Sequence, residues 1–372
     1  MRLTEYATSM NKVLTLLLTV CAASLAAGAR AQVPSTENVI LITVDGLRWQ
    51  EVFGGADERL IRHEAYVENP DDLAARFWAN SETARRRRLM PFMWDSVATQ
   101  GVIYGNRRAG SRADVSNTHV FSYPGYNEIL TGFADDTIDS NDKVPNSNVT
   151  VLEWLNLQPE MQGRIAAYAS WDVFPYIINE ERSQVPVNAG FEPVRAPMSQ
   201  TESVINGLQT AVDTPWEWER FDAFTHYLAL EYLVRMRPRL LYVAYGDTDE
   251  YAHAEDYAAY LNAANRFDGF LAHLWNWVQA TDGYRDRTTF VITTDHGRGE
   301  GDRWIGHGAD WEGSEEIWIA ILGPDTPAHG EFNERSQLFQ NQIAATVASL
   351  LGYNYTNERP VGEPIEGAAR YE

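Results

Sequence analysis

The chain is short of cysteine and of positive charge. Cys21 is its one cysteine in 372 residues, so no disulfide framework is available to hold the fold and a hydrophobic core must do so. Lysine and arginine number 30 against 52 acidic residues, a formal net charge of -22. That balance argues against binding to a nucleic-acid duplex and against attachment to anionic lipid by charge. No internal repeat or low-complexity segment is present, and the G-x-S-x-G pattern of a serine nucleophile elbow is missing. The run RRRR at 85–88 reads as a solvated face.

The N-terminus carries a different signal. Lys12 precedes the apolar run VLTLLLTVCAASLAA, which is followed by Ala29-Arg30-Ala31. This pattern predicts a secretory signal peptide over 1–31, cut after Ala31, with Met10 an alternative start. The run is too short and wrongly flanked to be a stable membrane anchor. Val20 stands where a lipoprotein signal expects a small residue, so the mature chain, 32–372, is expected to be exported, periplasmic or secreted, and free of thiols.

Five short runs rich in β-branched and aromatic residues follow: NVILITVDGL, RIAAYASWD, RLLYVAYGDTD, TTFVITTDHG and EEIWIAILGPD. They read as strands buried on both faces of a parallel sheet. Between them LMPFMWDSVATQG, NVTVLEWLNLQ, YAAYLNAANRFDGFLAHLWNWVQ and SQLFQNQIAATVASLLG repeat apolar residues at helical spacing. The predicted fold is α/β, a mostly parallel central sheet with helices on both faces, and 172–222 forms loops or a small cap.

Ligand sites in such sheets lie beyond the C-terminal ends of the strands. Asp45, Asp249 and Asp295 fall there, the last followed at once by His296. In DEYAH, Asp249 and His253 are one helical turn apart, whereas the corresponding neighbour of Asp247 is Tyr251, a poor ligand. His307 sits in the Gly-rich GHG, where backbone can approach a ligand closely. Carboxylate oxygen and imidazole nitrogen together suit zinc. His63, His119, His226, His273 and His329 have no such partners and read as packing or surface residues.

Taken in order, VDGLRW, FSYPGYNEILTG, DTDEYAH, TTDHG and GHG resemble the alkaline phosphatase superfamily, in particular its nucleotide pyrophosphatase/phosphodiesterase-like branch. The resemblance spans nearly the whole mature chain. It implies two divalent metal ions, zinc by preference. One would be held by Asp249, His253 and His307, the other by Asp45, Asp295, His296 and the nucleophile Ser122. A metal-bound serine needs no histidine base, and Pro124 in the first helical turn would set Ser122 at the positive end of a helix. The branch usually has Thr in a T-F-P-N-H-type sequence. Here S-Y-P-G-Y stands instead, which leaves open the contacts made by Gly125 and Tyr126.

The resemblance also implies an asparagine about twenty residues beyond the nucleophile that donates to the phosphoryl group. Asn141 and Asn146 both fall there, with Asn141 preferred. Trp171 and Asp172 stand where some relatives carry Lys and Arg. An acid there would repel a dianionic monoester, so these residues favour a monoanionic diester or a substrate with an apolar or cationic group. Arg48 and Arg298 are further sources of positive charge. The expectation is an exported hydrolase of small phosphoric esters, by preference diesters, acting through a phosphoseryl intermediate. Monoester, phosphonate or sulfate ester hydrolysis and a non-catalytic binding protein on the same scaffold are the alternatives.

Overall fold

The computed structural model describes residues 35–368, so the expected signal peptide, Cys21 and the cleavage site at Ala31 lie outside the described residues. Among the described residues eleven strands are formed: β1 (Asn38–Val44), β2 (Val102–Tyr104), β3 (Ser111–Asp114), β4 (Ile165–Ala169), β5 (Val187–Ala189), β6 (Leu240–Tyr245), β7 (Thr288–Thr293), β8 (Glu316–Ile317), β9 (Ile319–Leu322), β10 (Gly330–Glu331) and β11 (Ser336–Phe339). Eight of them make one sheet in the order β10-β2-β9-β7-β1-β6-β4-β5. The stretch from β5 to β7 is parallel throughout. β1, at its centre, is buried along its whole length. Its side chains alternate between two cores: Ile40, Ile42 and Val44 pack on one face, Val39 and Leu41 on the other. Two buried faces explain why the strands read as unbroken apolar runs. The α/β architecture with helices on both faces is therefore as expected.

Two segments differ from the sequence reading. EEIWIAILGPD divides at Trp318 into β8 and β9, and β9 runs antiparallel to β7 and β2. A short apolar run looks the same in either direction, because direction is set by the connection and not by the strand. The first part of SQLFQNQIAATVASLLG is β11, which pairs with β3 in a small second sheet, and the helix begins only at Ile343. Here tertiary pairing overrides local periodicity. The 172–222 segment contributes β5, at the edge of the main sheet, and a helix, Gln200–Ala211, closed by a Ser199–Glu202 capping box. RRRR is less solvated than its charge suggests. Arg85 donates to the carbonyls of Gly54 and Ala79, and Arg86 pairs with Glu331 over the Trp94 ring. Among the described residues, no helix is long and apolar enough to cross a membrane.

Candidate active site

The adjacent parallel strands β6, β1 and β7 end on one rim, and each hands on to a carboxylate. Asp45 follows β1, Asp295-His296 follows β7, and the Asp247–His253 helix starts after β6. Gly46 turns the chain at φ 59°, and a Cβ there would lie 2.7 Å from the Asp249 carboxylate. Only glycine lets the β1 turn pass so close to the β6 side.

Ser122 opens the helix Ser122–Thr131, its Oγ 3.4 Å from His296 Nε2. The approach to it is held by contacts that sequence reasoning did not find. Glu128, fully buried in the same helix, accepts hydrogen bonds from the Ser116 hydroxyl (2.6 Å) and the Asn117 backbone N–H (2.9 Å). Asn117 Oδ1 in turn accepts from Val120 N at 2.8 Å. Val120 sits at φ 55°, a left-handed conformation that costs a β-branched residue on the order of 1–3 kcal/mol. The Glu128–Asn117 clamp offsets that strain two residues before the candidate nucleophile.

Gly125, Tyr126 and Asn127, which follow the proline of S-Y-P-G-Y, have structural roles. A Cβ on Gly125 would lie 2.5 Å from the Asp295 carbonyl, so glycine is what lets this helix pack on the end of β7. Tyr126, 1% exposed, donates its hydroxyl to Asp45 Oδ2 at 2.9 Å, and Asn127 is buried where it accepts from Asn146. None of the three lines the cleft above Ser122.

Asp45 Oδ1 and Asp295 Oδ2 each lie 3.3 Å from His296 Nε2, and both oxygens are buried without a hydrogen-bond partner. His296 Nδ1 is 2.8 Å from the Gly297 carbonyl, which fixes the proton on that nitrogen and turns the Nε2 lone pair towards the carboxylates. Lone pairs from three side chains thus converge in a buried space, as a cation's donor set does. Without one, burial lowers the His296 pKa but Asp295 and Asp45 outweigh it and push it up to about 9. Burial and Asp45 raise Asp295 well above the ordinary carboxylate range. Their donor atoms lie within 4.8 Å of one another, so the three residues fit a divalent ion.

The second grouping is different in kind. Asp249 lies 3.1 Å from His253 Nε2 and 3.6 Å from His307 Nε2, and the two Nε2 atoms are 3.0 Å apart. The His307 ring stacks on His296 at 3.9 Å, and Asp249, His296 and His307 form a further donor set. Arg298, fully buried, donates to Asp249 and to the carbonyls of Trp304 and Ile305. Burial alone would raise Asp249, but Arg298, with His253 and His307, holds it well below the ordinary range. Burial and neighbouring His296 depress His307 well below 6.5, so it is neutral and able to ligate at pH 7. Asp247 points elsewhere, to Asp222 N and Arg266. Arg48 is tied to Glu51 and the Gly299 carbonyl, outside the cleft.

A cleft of about 380 Å³ opens over these groups. Asn141 lines it, its Oδ1 accepting from Tyr123 N at 3.0 Å, and its amide nitrogen has no acceptor among the described residues. Asn146 is buried away from the cleft. Trp171 and Asp172 also line it, but Asp172 is not a free acid. Lys143 Nζ lies 2.6 Å from its Oδ2. Sequence reasoning missed Lys143, and with it Trp218, Glu219 and Glu250 on the same wall. The doublet Trp218-Glu219 repeats the aromatic–acid chemistry of Trp171-Asp172, a signal that was present but unplaced.

Residues 229–355 match the family model described as Metalloenzyme superfamily. Wild-type alkaline phosphatase PafA has a similar fold, with a TM-score of 0.57 at 11% identity, covering 89% of this chain and 98% of that one. The phosphonate monoester hydrolase of Agrobacterium radiobacter has a TM-score of 0.54 at 15% identity, covering 88% and 76%. These likenesses show a fold shared with alkaline phosphatase PafA and with phosphonate monoester hydrolases. The phosphonate monoester hydrolase SpPMH of Silicibacter pomeroyi is similar over 89% of this chain and 76% of its own, with a TM-score of 0.52 at 14% identity. Among curated proteins, none matches the chain. The family model and the donor clusters together support a divalent-metal site.

Proposed function

We propose that this chain is an exported hydrolase of small phosphodiesters with Ser122 as nucleophile. The observation that carries the reading is the convergence of the unpartnered Asp45 and Asp295 oxygens and the Ser122 hydroxyl on His296 Nε2. Asp45, Asp295 and His296 would hold one divalent ion, and Asp249, His253 and His307 a second; mixed oxygen and imidazole donors favour zinc. Such ions supply Lewis acidity to phosphoryl oxygens and lower the pKa of a bound hydroxyl.

Ser122 Oγ attacks phosphorus, forming the Oγ–P bond while the ester P–O bond breaks and one alcohol leaves; the hydroxyl proton passes to solvent. Water then attacks the phosphoseryl group, and the P–Oγ bond breaks to return the serine and release the monoester. The helix N-terminus at Ser122 favours the anionic phosphoryl group, and Asn141 donates its free amide to it. Tyr126 keeps Asp45 oriented throughout.

The diester preference rests on the charge of the cleft. Lys143 is consumed by Asp172, and among the described residues no other lysine or arginine lines the cleft, so a monoanion is better tolerated than a dianion. Comparing kcat/KM for bis(4-nitrophenyl) phosphate and 4-nitrophenyl phosphate tests this, and equal or higher monoester turnover would reverse it. Export rests on the N-terminal pattern alone. Mass spectrometry of the mature protein should find Gln32 at its N-terminus, whereas a retained Met1 or Met10 would contradict it.

A further inference from the structure

Part of the cleft wall is built from two short segments joined by an antiparallel bridge between Trp171 and Glu219. The Asp172 backbone N–H donates to the Trp218 carbonyl at 3.0 Å, so the doublets Trp171-Asp172 and Trp218-Glu219 lie side by side in opposite directions. Trp218 is 47% exposed, unusual for so large an apolar surface, and its indole Nε1 donates to Glu250 at 2.6 Å. That hydrogen bond orients the ring and leaves part of its face open to the cleft. Trp216 packs edge-on against Phe221 and Tyr251, which anchors the segment from behind.

The charges on this wall are unbalanced. Asp172 has Lys143, but among the described residues neither Glu219 nor Glu250 pairs with a lysine or arginine. Glu219 is 4% exposed and lines the cleft with its Oε1 unpartnered, while neighbouring Asp222 and Asp247 are satisfied by Ser170, Arg266 and each other's backbone. A buried acceptor with no donor costs about 1–3 kcal/mol, so its place on the cleft wall asks for a cation from outside.

We infer that this wall is a subsite for an alkylammonium group on the ester, held against the exposed face of Trp218 and neutralised by Glu250 and Glu219, which line the same cleft. Indole faces attract cations through their quadrupole, and carboxylates at the edge add the Coulomb term. The inference rests on the phosphodiesterase reading for the other end of the substrate. Phosphate at Ser122 and ammonium at Trp218 together describe a zwitterionic diester, such as an ester of choline or ethanolamine.

The test compares 4-nitrophenyl phosphorylcholine with 4-nitrophenyl 3,3-dimethylbutyl phosphate, which has the same shape without the charge. The choline ester should be preferred by about tenfold or more in kcat/KM, and Trp218→Ala and Glu250→Gln should each draw that ratio towards one. The 4-nitrophenyl ester of phosphoethanolamine separates the two sources: preference for it over the choline ester assigns the subsite to a primary ammonium. Free choline, titrated calorimetrically into the full-length protein, gives a readout apart from turnover. Saturable binding that Trp218→Ala abolishes upholds the subsite even if no ester is cleaved, a result that would instead remove the phosphodiesterase reading. Equal turnover of the charged and neutral esters with no choline binding overturns the subsite and leaves the hydrolase reading in place.

Discussion

The two donor groupings use similar residues in opposite electrostatic settings. Around His296 the Asp45 and Asp295 oxygens that face its Nε2 have no hydrogen-bond donor, and among the described residues no lysine or arginine pairs with either carboxylate. Around Asp249 a buried guanidinium, Arg298, already carries compensating charge. The first grouping is an anionic pocket that depends on a cation from outside; the second is a carboxylate–histidine cluster the protein partly neutralises itself. Folding without metal is therefore costlier at the first, and metal binding there should be tighter.

Breaking the first grouping should have the largest effect. Ser122→Ala and Asp295→Asn should each lower kcat by on the order of 10³-fold or more, and Asp295→Asn should also remove one metal equivalent by elemental analysis. His253→Ala, at the half-exposed edge of the second grouping, should retain the first metal and more residual activity. If both ligand variants lost metal equally, the asymmetry between the sites would be wrong. Next in size is Tyr126→Phe, which leaves Asp45 without its orienting donor; the expected loss is about 10–100-fold in metal affinity or turnover, read by competition with a chelator. Lys143→Ala frees Asp172 and should raise KM for anionic esters several-fold with little change in kcat.

The smallest effect concerns stability away from the site. His226 bonds Tyr245 and His273 in the core, and burial, then His273, push its pKa down to about 3. An unfolded chain takes up this proton near pH 6.5 while the folded one does not. Stability from this group is thus complete above about pH 6.5 and falls as pH drops towards 3. His226→Phe should flatten the decline of Tm over that window by about one proton's worth of linkage; an unchanged slope would show that His226 protonates without unfolding.

How legible these features were depended on what carried each signal. Asp45, Asp249, Asp295 and His296 could be placed because parallel strands announce themselves as apolar runs, and each run ended in its carboxylate. The direction of β9 could not, since pairing partners and not side chains decide it. Lys143 looked like any surface lysine until the fold set it beside Asp172, twenty-nine residues on. The partnership of Glu128, Asn117 and Val120 was equally hidden, because a strained backbone angle leaves no mark on composition. Gly125 and Tyr126, by contrast, stood out in the sequence as departures from a pattern, and only their contacts with Asp295 and Asp45 explain them.

The central claim is covalent catalysis at Ser122, and one measurement bears on it directly. Metal-loaded enzyme turning over a diester is quenched in acid, digested and analysed by mass spectrometry. The account predicts a phosphoryl adduct on the peptide containing Ser122, absent from Ser122→Ala, which is also inactive. Steady turnover with no adduct on that peptide, and a Ser122→Ala variant that keeps its activity, would contradict it.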